Sequence, residues 1–256
     1  MNGGNPLSTS SLRGVAQSLA FLVSLAWSPS SWRTLLWLVR SQARQSFIAS
    51  QYLPEMSWSQ EGEDVQLLQI LPESGYYVDV GAHDPFRFSN TCRLYQKGWS
   101  GINIDVTEGF VERFNKNRPR DTNIMGLVGS PRKATFFRFE EEALNTLSRE
   151  RAEELVSNGW KLAREDSFEV RSLSDIFRQH CQTRIVDLLC IDAEGADYEI
   201  LQSLDWDEWE ISRVLVEVSA SATLVADSAI TAFLRTKAFK PTHVWSRSCL
   251  FQRDTG

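Results

Sequence analysis

Four apolar runs in this chain close on acidic residues: 76–80 leads through Asp79 and Val80 into Gly81, 101–105 stops at Asp105, 185–192 stops at Asp192, and 213–218 carries Glu217 near its end. Uninterrupted apolar runs of this length mark strands covered on both faces, which occur in parallel sheets packed between helices. Such a sheet gathers ligands at the carboxyl ends of its central strands. The acids therefore converge on one rim, and an α/β, Rossmann-like, mostly parallel sheet is the expected fold. Runs at 123–128 and 134–139 add two strands, and the pair 243–245 and 249–252 predicts an antiparallel hairpin at one edge.

Helix signals fall between the strands. Ser89-Asn90 can cap a helix stopped by Gly98, Thr107 one that ends before Pro119, and Asp227 one that runs to about Phe239, ahead of Pro241. Ser172 and Asp175 form a capping box. Residues 140–166 are charged and helix-prone, with Asn158-Gly159 as a stop, and break the alternation as an inserted lid or substrate-facing segment.

Residues 1–50 hold four arginines and no acid, so the net charge of −6 splits into +4 on this arm and −10 on residues 51–256. An acidic body lacks the basic stripe that a nucleic-acid backbone requires, so no nucleic-acid partner is expected. The apolar run 15–27 is shorter than the roughly 20 residues of a membrane span. Together with 32–48, which carries Arg33, Arg40 and Arg44, it forms a helical arm. That arm can pack on the domain or on a second subunit, lie in a membrane interface through residues 11–48, or act as an export signal, although no small-residue cleavage site closes the run. The division expected is an arm over 1–50 and one catalytic domain over 51–256. Cys92, Cys181, Cys190 and Cys249 are too scattered for a zinc knuckle or disulfide framework, and read as reduced packing residues of a cytoplasmic protein. The three histidines show no metal-ligand spacing either, so no metal is assigned.

The loop after the first strand is the chemical clue. Gly81 lets backbone approach a cofactor closely, with Asp79 beside it to meet an amino group or water. Asp105, ending the next strand, sits where a carboxylate accepts the hydroxyl protons of an adenosyl ribose. The turn Gly81-Ala82-His83-Asp84-Pro85 lacks the glycines that seat a pyrophosphate, and Asp84 repels one. An acidic turn suits a cationic sulfonium cofactor instead. Asp192 and Glu194 end an apolar strand, where charges are seldom left without a partner or a task. His83 reads as a packing or capping histidine, or as a base.

These segments resemble the FkbM-type methyltransferase family. The resemblance rests on Ser59-Gln60-Glu61-Gly62-Glu63-Asp64, on Tyr77 through Pro85, on Ser89-Asn90-Thr91, on Gly98 through Asp105, on Leu188 through Asp197, and on Val214-Leu215-Val216-Glu217, in the family's order over roughly residues 55–253. It implies a seven-stranded class I methyltransferase sheet with an antiparallel last strand, S-adenosyl-L-methionine as cofactor, and a hydroxyl acceptor on a sugar, glycan or secondary metabolite. Val106-Thr107 departs from the proline and small residue of many relatives, which bears on the adenine wall.

Methyl transfer to a hydroxyl needs a base. Asp192 and Glu194 are the first nominees, with His83 and Glu217 behind them. Asp79, Gly81, His83, Asp105 and Asp192 are expected around the cofactor, and Gln60 and Asp64 are expected either to close over its methionine end or to cap the helix before the first strand. Two alternatives stand beside this reading. A metal-dependent nucleotide-sugar glycosyltransferase would use Asp192 and Glu194 on a divalent ion, and a silent membrane-associated scaffold would keep the fold without a cofactor.

Overall fold

A computed structural model describes residues 57–141, 144–193, 195–218 and 228–254. The basic arm, Glu194 and the Asp227 cap lie outside them. The helices are α1 (Glu63–Ile70), α2 (Cys92–Gln96), α3 (Phe110–Asn117), α4 (Arg149–Ser157), α5 (Leu173–His180), α6 (Asp197–Gln202) and α7 (Ala229–Thr236). The strands are β1 (Tyr76–Val80), β2 (Ser100–Asp105), β3 (Thr122–Met125), β4 (Leu127–Val128), β5 (Arg132–Phe139), β6 (Leu162–Arg171), β7 (Ile185–Val186), β8 (Leu188–Ile191), β9 (Glu210–Ile211), β10 (Arg213–Glu217), β11 (Phe239–Val244) and β12 (Ser248–Arg253).

The main sheet has seven strands in the order β11-β12-β10-β8-β1-β2-β3. Its pairings are parallel from β3 across to β10, and β12 runs antiparallel to both β10 and β11. Alternate residues of each strand feed opposite faces. Val78, Val80, Ile102, Ile104, Leu189, Ile191, Val214 and Val216 pack with Leu173, Ile176 and Phe177 of α5 and with Ile200 and Leu201 of α6. Tyr77, Leu188, Cys190 and Leu215 pack on the other face with Leu67 of α1, Leu94 and Trp99. Register places Val80 beside both Ile104 and Ile191, and Ile191 beside Val216, so the carboxyl ends of β1, β2, β8 and β10 stand level.

Three expectations from sequence change. The run 123–128 divides at Gly126, whose N–H bonds Asp105 O at 3.0 Å. β3 completes the main sheet, while β4 pairs with β6 in a second, three-stranded sheet of order β4-β6-β5. The run 185–192 breaks at Asp187, whose carboxylate accepts the Tyr76 N–H at 2.8 Å. The third change concerns the charged insertion. The α-helix among the described residues there is α4, capped by Ser148 and ended at Asn158, while residues 162–166, expected to be helical, belong to β6 and pair antiparallel with β5. Phe137 and Phe139 of β5 pack with Ala152 and Leu155 of α4, while Phe136 meets Phe168 of β6 edge-on from the other face.

Caps shift as well. The Ser172–Asp175 box is present, with Ser172 Oγ accepting the Asp175 N–H at 3.0 Å. Ser228 caps α7, which stops at Thr236 before Ala238 takes φ +62°. Gly109, at φ +67°, enters α3 in place of Thr107, whose side chain turns to Asp105. Pro241 lies in edge strand β11 beside a bulge, where a missing N–H is tolerated. Among the described residues no helix is long and apolar enough to cross a membrane.

Candidate active site

The loop leaving β1 is wedged between its two neighbours. Gly81 has φ +84°, and both its N–H and that of Ala82 bond Ile104 O, at 2.9 and 3.2 Å. A Cβ at Gly81 would lie 1.8 Å from the Asp192 carbonyl oxygen. The glycine is thus required by the junction of β1 with β8. His83 continues the turn at φ +50° and donates its backbone N–H to Asp105 Oδ2 at 2.8 Å. Thr107 gives its N–H and hydroxyl to Asp105 Oδ1, at 2.7 and 2.5 Å. Asp105 therefore ties the Gly81 loop to the turn that follows β2.

Asp79 is buried and accepts from Thr91 Oγ1 at 2.6 Å. Burial pushes its carboxyl up to about 6, against the opposing pull of the Thr91 bond and the Arg118 charge. Its carboxylate supports the loop from inside through Thr91. Arg118 is only 1% exposed and spends its guanidinium on the Pro85 carbonyl, Ser89 Oγ, Thr91 Oγ1 and Asn103 Oδ1. Sequence reading missed Arg118 because its partners lie 15–33 residues away along the chain and nothing local marks them.

Asp192 and Glu217 face each other at the ends of β8 and β10. The Asp192 carboxyl is pushed up to about 7, first by burial and then by the charge of Glu217. Register sets them side by side, since Ile191 pairs with Val216 one residue earlier on each strand. Asp192 also senses Asp79, and Asp79 senses Asp105, so the strand-end acids lie within electrostatic reach of one another. Gln60, Glu63, Phe88, Asn90, Asp192, Glu217, Arg247 and Ser248 line a cleft enclosing about 370 Å³, open solvent included.

The roof of that cleft is the segment before α1. Glu61 accepts from the Ser246 and Arg247 N–H groups at 2.7 and 3.3 Å, Glu63 from Ser248 Oγ at 2.9 Å, and Gln60 Oε1 from Arg247 Nη1 at 2.8 Å. Asp64 is fully enclosed. It accepts from Ser57 Oγ, the Trp58 N–H and Ser59 Oγ, at 2.6 to 3.0 Å, and pairs with Arg93 Nε at 3.3 Å. That placement has Asp64 holding the segment that bears Gln60, the structural side of its two expected roles. Glu63 was passed over although it stands inside the same motif.

Three acids with raised pKa values, Asp79, Asp121 and Asp192, make stability depend on pH. A carboxyl whose pKa is higher folded than unfolded binds its proton more tightly in the folded chain, so its contribution weakens as pH rises from the ordinary 3.8 toward about 7 for Asp192. Asp192→Asn is expected to raise the urea midpoint at about pH 8 and to leave it unchanged at about pH 4. An equal midpoint at both pH values would contradict the desolvated carboxylate.

Residues 79–247 match the methyltransferase FkbM domain. The chain belongs to that family. S-adenosylmethionine is the family's methyl donor, and the chain is an S-adenosylmethionine-dependent methyltransferase. No curated protein matches the sequence. Among solved structures, the chain is similar to a TehB-like SAM-dependent methyltransferase from Corynebacterium glutamicum, at 9% identity over 89% of this chain and 100% of that one, with a TM-score of 0.40. It is also similar to M. capricolum TrmK in complex with S-adenosyl-homocysteine, at 10% identity over 74% and 65% of the two chains, with a TM-score of 0.39. A third is the 1,6-didemethyltoxoflavin-N1-methyltransferase of Burkholderia thailandensis, at 11% identity over 98% and 94%, with a TM-score of 0.36.

The rim of this FkbM methyltransferase fits its cofactor chemically. Among the described residues Asp105 Oδ2 accepts from one donor, the His83 N–H, so a lone pair remains for a ribose hydroxyl. Gly81 keeps side chains off the strand junction, and the carboxylates of Asp192 and Glu217 favour a cation nearby. Among the described residues no group of three or more His, Cys, Asp or Glu side chains is placed to hold a metal ion.

Proposed function

We propose that this methyltransferase acts on a hydroxyl group of a sugar, glycan or small secondary metabolite, with the Asp192–Glu217 pair as the base. The observation that carries this reading is the placement of the two carboxylates side by side at the cleft. A carboxyl held near 7 is deprotonated often enough at neutral pH to take a hydroxyl proton, and basic enough to keep it. A neutral amine already presents its lone pair and has less need of such a base.

When bound, S-adenosylmethionine supplies an electrophilic methyl group on a sulfonium. In this proposal Asp105 holds the ribose hydroxyls, the turn of Gly81 to His83 borders the adenosine, and Gln60 closes the methionine end. Asp192, beside Glu217, receives the acceptor's proton, and the segment from Gln60 to Glu63, tied to residues 246–248, keeps water out. Glu194, outside the described residues, remains a nominee on sequence grounds alone, and His83 is assigned through its backbone. A cytoplasmic location, with peripheral membrane contact through residues 11–48, belongs to the same proposal. Family membership displaces the glycosyltransferase alternative.

The test is incubation of the full chain with methyl-labelled S-adenosylmethionine and a panel of sugars, polyols, amines and carboxylic acids. Label is expected in base-stable ethers. Label confined to amines or to base-labile esters would overturn the hydroxyl assignment.

A further inference from the structure

Besides the β4–β6 pairing and the Arg132–Glu199 ion pair, one buried side chain ties the β5–β6 hairpin to the turn after β2. Arg138 of β5 is 6% exposed, its guanidinium lying 4.9 Å from the Phe136 ring centroid. Its Nε pairs with Asp166 of β6, and its Nη2 donates to the Val106 carbonyl at 2.7 Å. Val106 follows Asp105 directly, and the next residue, Thr107, fills Asp105 Oδ1 with two hydrogen bonds. The path of residues 106–108 therefore decides where the Asp105 carboxylate points.

A second link, Arg164 to Glu108 at 3.1 Å, joins side chains 47% and 66% exposed, and such a pair contributes little. The Arg138 clamp is the buried one. It also needs an arginine, because a planar fork can face a carboxylate through Nε and a carbonyl on another element through Nη2, whereas a lysine ammonium has no such fixed geometry.

We propose that Arg138 is a positioning residue for cofactor binding: by holding the Val106 carbonyl it sets the turn that aims Asp105. The inference rests on the reading of Asp105 as the acceptor of the ribose hydroxyls.

Calorimetric titration of S-adenosylhomocysteine into the full chain tests it with Asp105→Asn, Arg138→Met and the double variant. Asp105→Asn is expected to weaken binding about ten- to hundredfold, and Arg138→Met about tenfold. The double variant is expected to bind no more weakly than Asp105→Asn, since both changes spoil one interaction. Should Arg138→Met fail to fold, Arg138→Lys takes its place and is expected to lose about as much, its Val106 contact being gone. A role confined to stability would lower the urea midpoint while leaving affinity unchanged, or would add its loss in full to that of Asp105→Asn, and either result overturns the inference. Wild-type affinity in Asp105→Asn would remove the ribose assignment itself, and the inference with it. A loss in Asp105→Asn with none at Arg138 would remove the inference alone.

Discussion

Asp192→Asn is expected to slow methyl transfer by about 10²- to 10⁴-fold while S-adenosylhomocysteine affinity stays within about tenfold of wild type. An asparagine keeps the shape of the carboxyl and cannot take a proton. The pH dependence makes the assignment sharper. The base works deprotonated, so the wild-type rate rises with pH through about 7 and levels above it. Glu217→Gln removes the neighbouring charge that had raised Asp192. The inflection of that variant therefore moves to lower pH. An unmoved inflection, with the rate of Asp192→Asn near wild type, would take both residues out of the proton transfer.

Gly81→Ala carries the largest expected structural effect. The left-handed backbone costs a side chain about 1–2 kcal/mol, and overpacking against a rigid neighbour adds about 1–3 kcal/mol. The neighbour here is the Asp192 carbonyl, at 1.8 Å from the new carbon, so relief requires β1 and β8 to part where the acids meet. Out of a domain stability of about 5–15 kcal/mol the loss is severe. Cofactor affinity and turnover are expected to fall with it. Gly62→Ala is the matched control, because Gly62 has φ +86° and nothing within 4 Å of an added Cβ. It is expected to show the backbone strain alone. Similar urea midpoints for the two variants would mean that the β1–β8 junction is looser than the structure has it.

The parts of this fold that sequence made legible are those whose cause is local. β1 is a run of five residues with no breaker, and its pairing with β2 and β8 buries both faces, so the apolar run alone announces it. The Ser172 cap is equally local. β6 was misread for a physical reason: it carries Arg164, Glu165 and Asp166 in a row, a charge density that suits an exposed helix. Only its pairing with β5 fixes it as a strand, and pairing partners about thirty residues away leave no mark on the segment itself. Gly126 was read through for the same reason, since one glycine in an apolar run does not tell that the chain changes sheets there.

The site divides along the same line. Gly81, Asp105, Asp192 and Glu217 stand at strand ends, and strand ends are visible. Asp64 and Asp79 were visible as acids, but whether a carboxylate faces a ligand or an inner partner depends on Ser57, Thr91, Arg93 and Arg118, which only the folded chain assembles. Arg138 and Arg118 left no sequence signal at all, because each joins carbonyls and side chains of distant segments.

A crystal structure of the full chain grown with S-adenosylhomocysteine puts the whole account to its most direct trial. The ribose is expected against Asp105, the adenosine along the turn from Gly81 to His83, and the sulfur toward the cleft that holds Asp192 and Glu217. Ligand density on the opposite ends of the strands, or a ribose with no contact to Asp105, would contradict it.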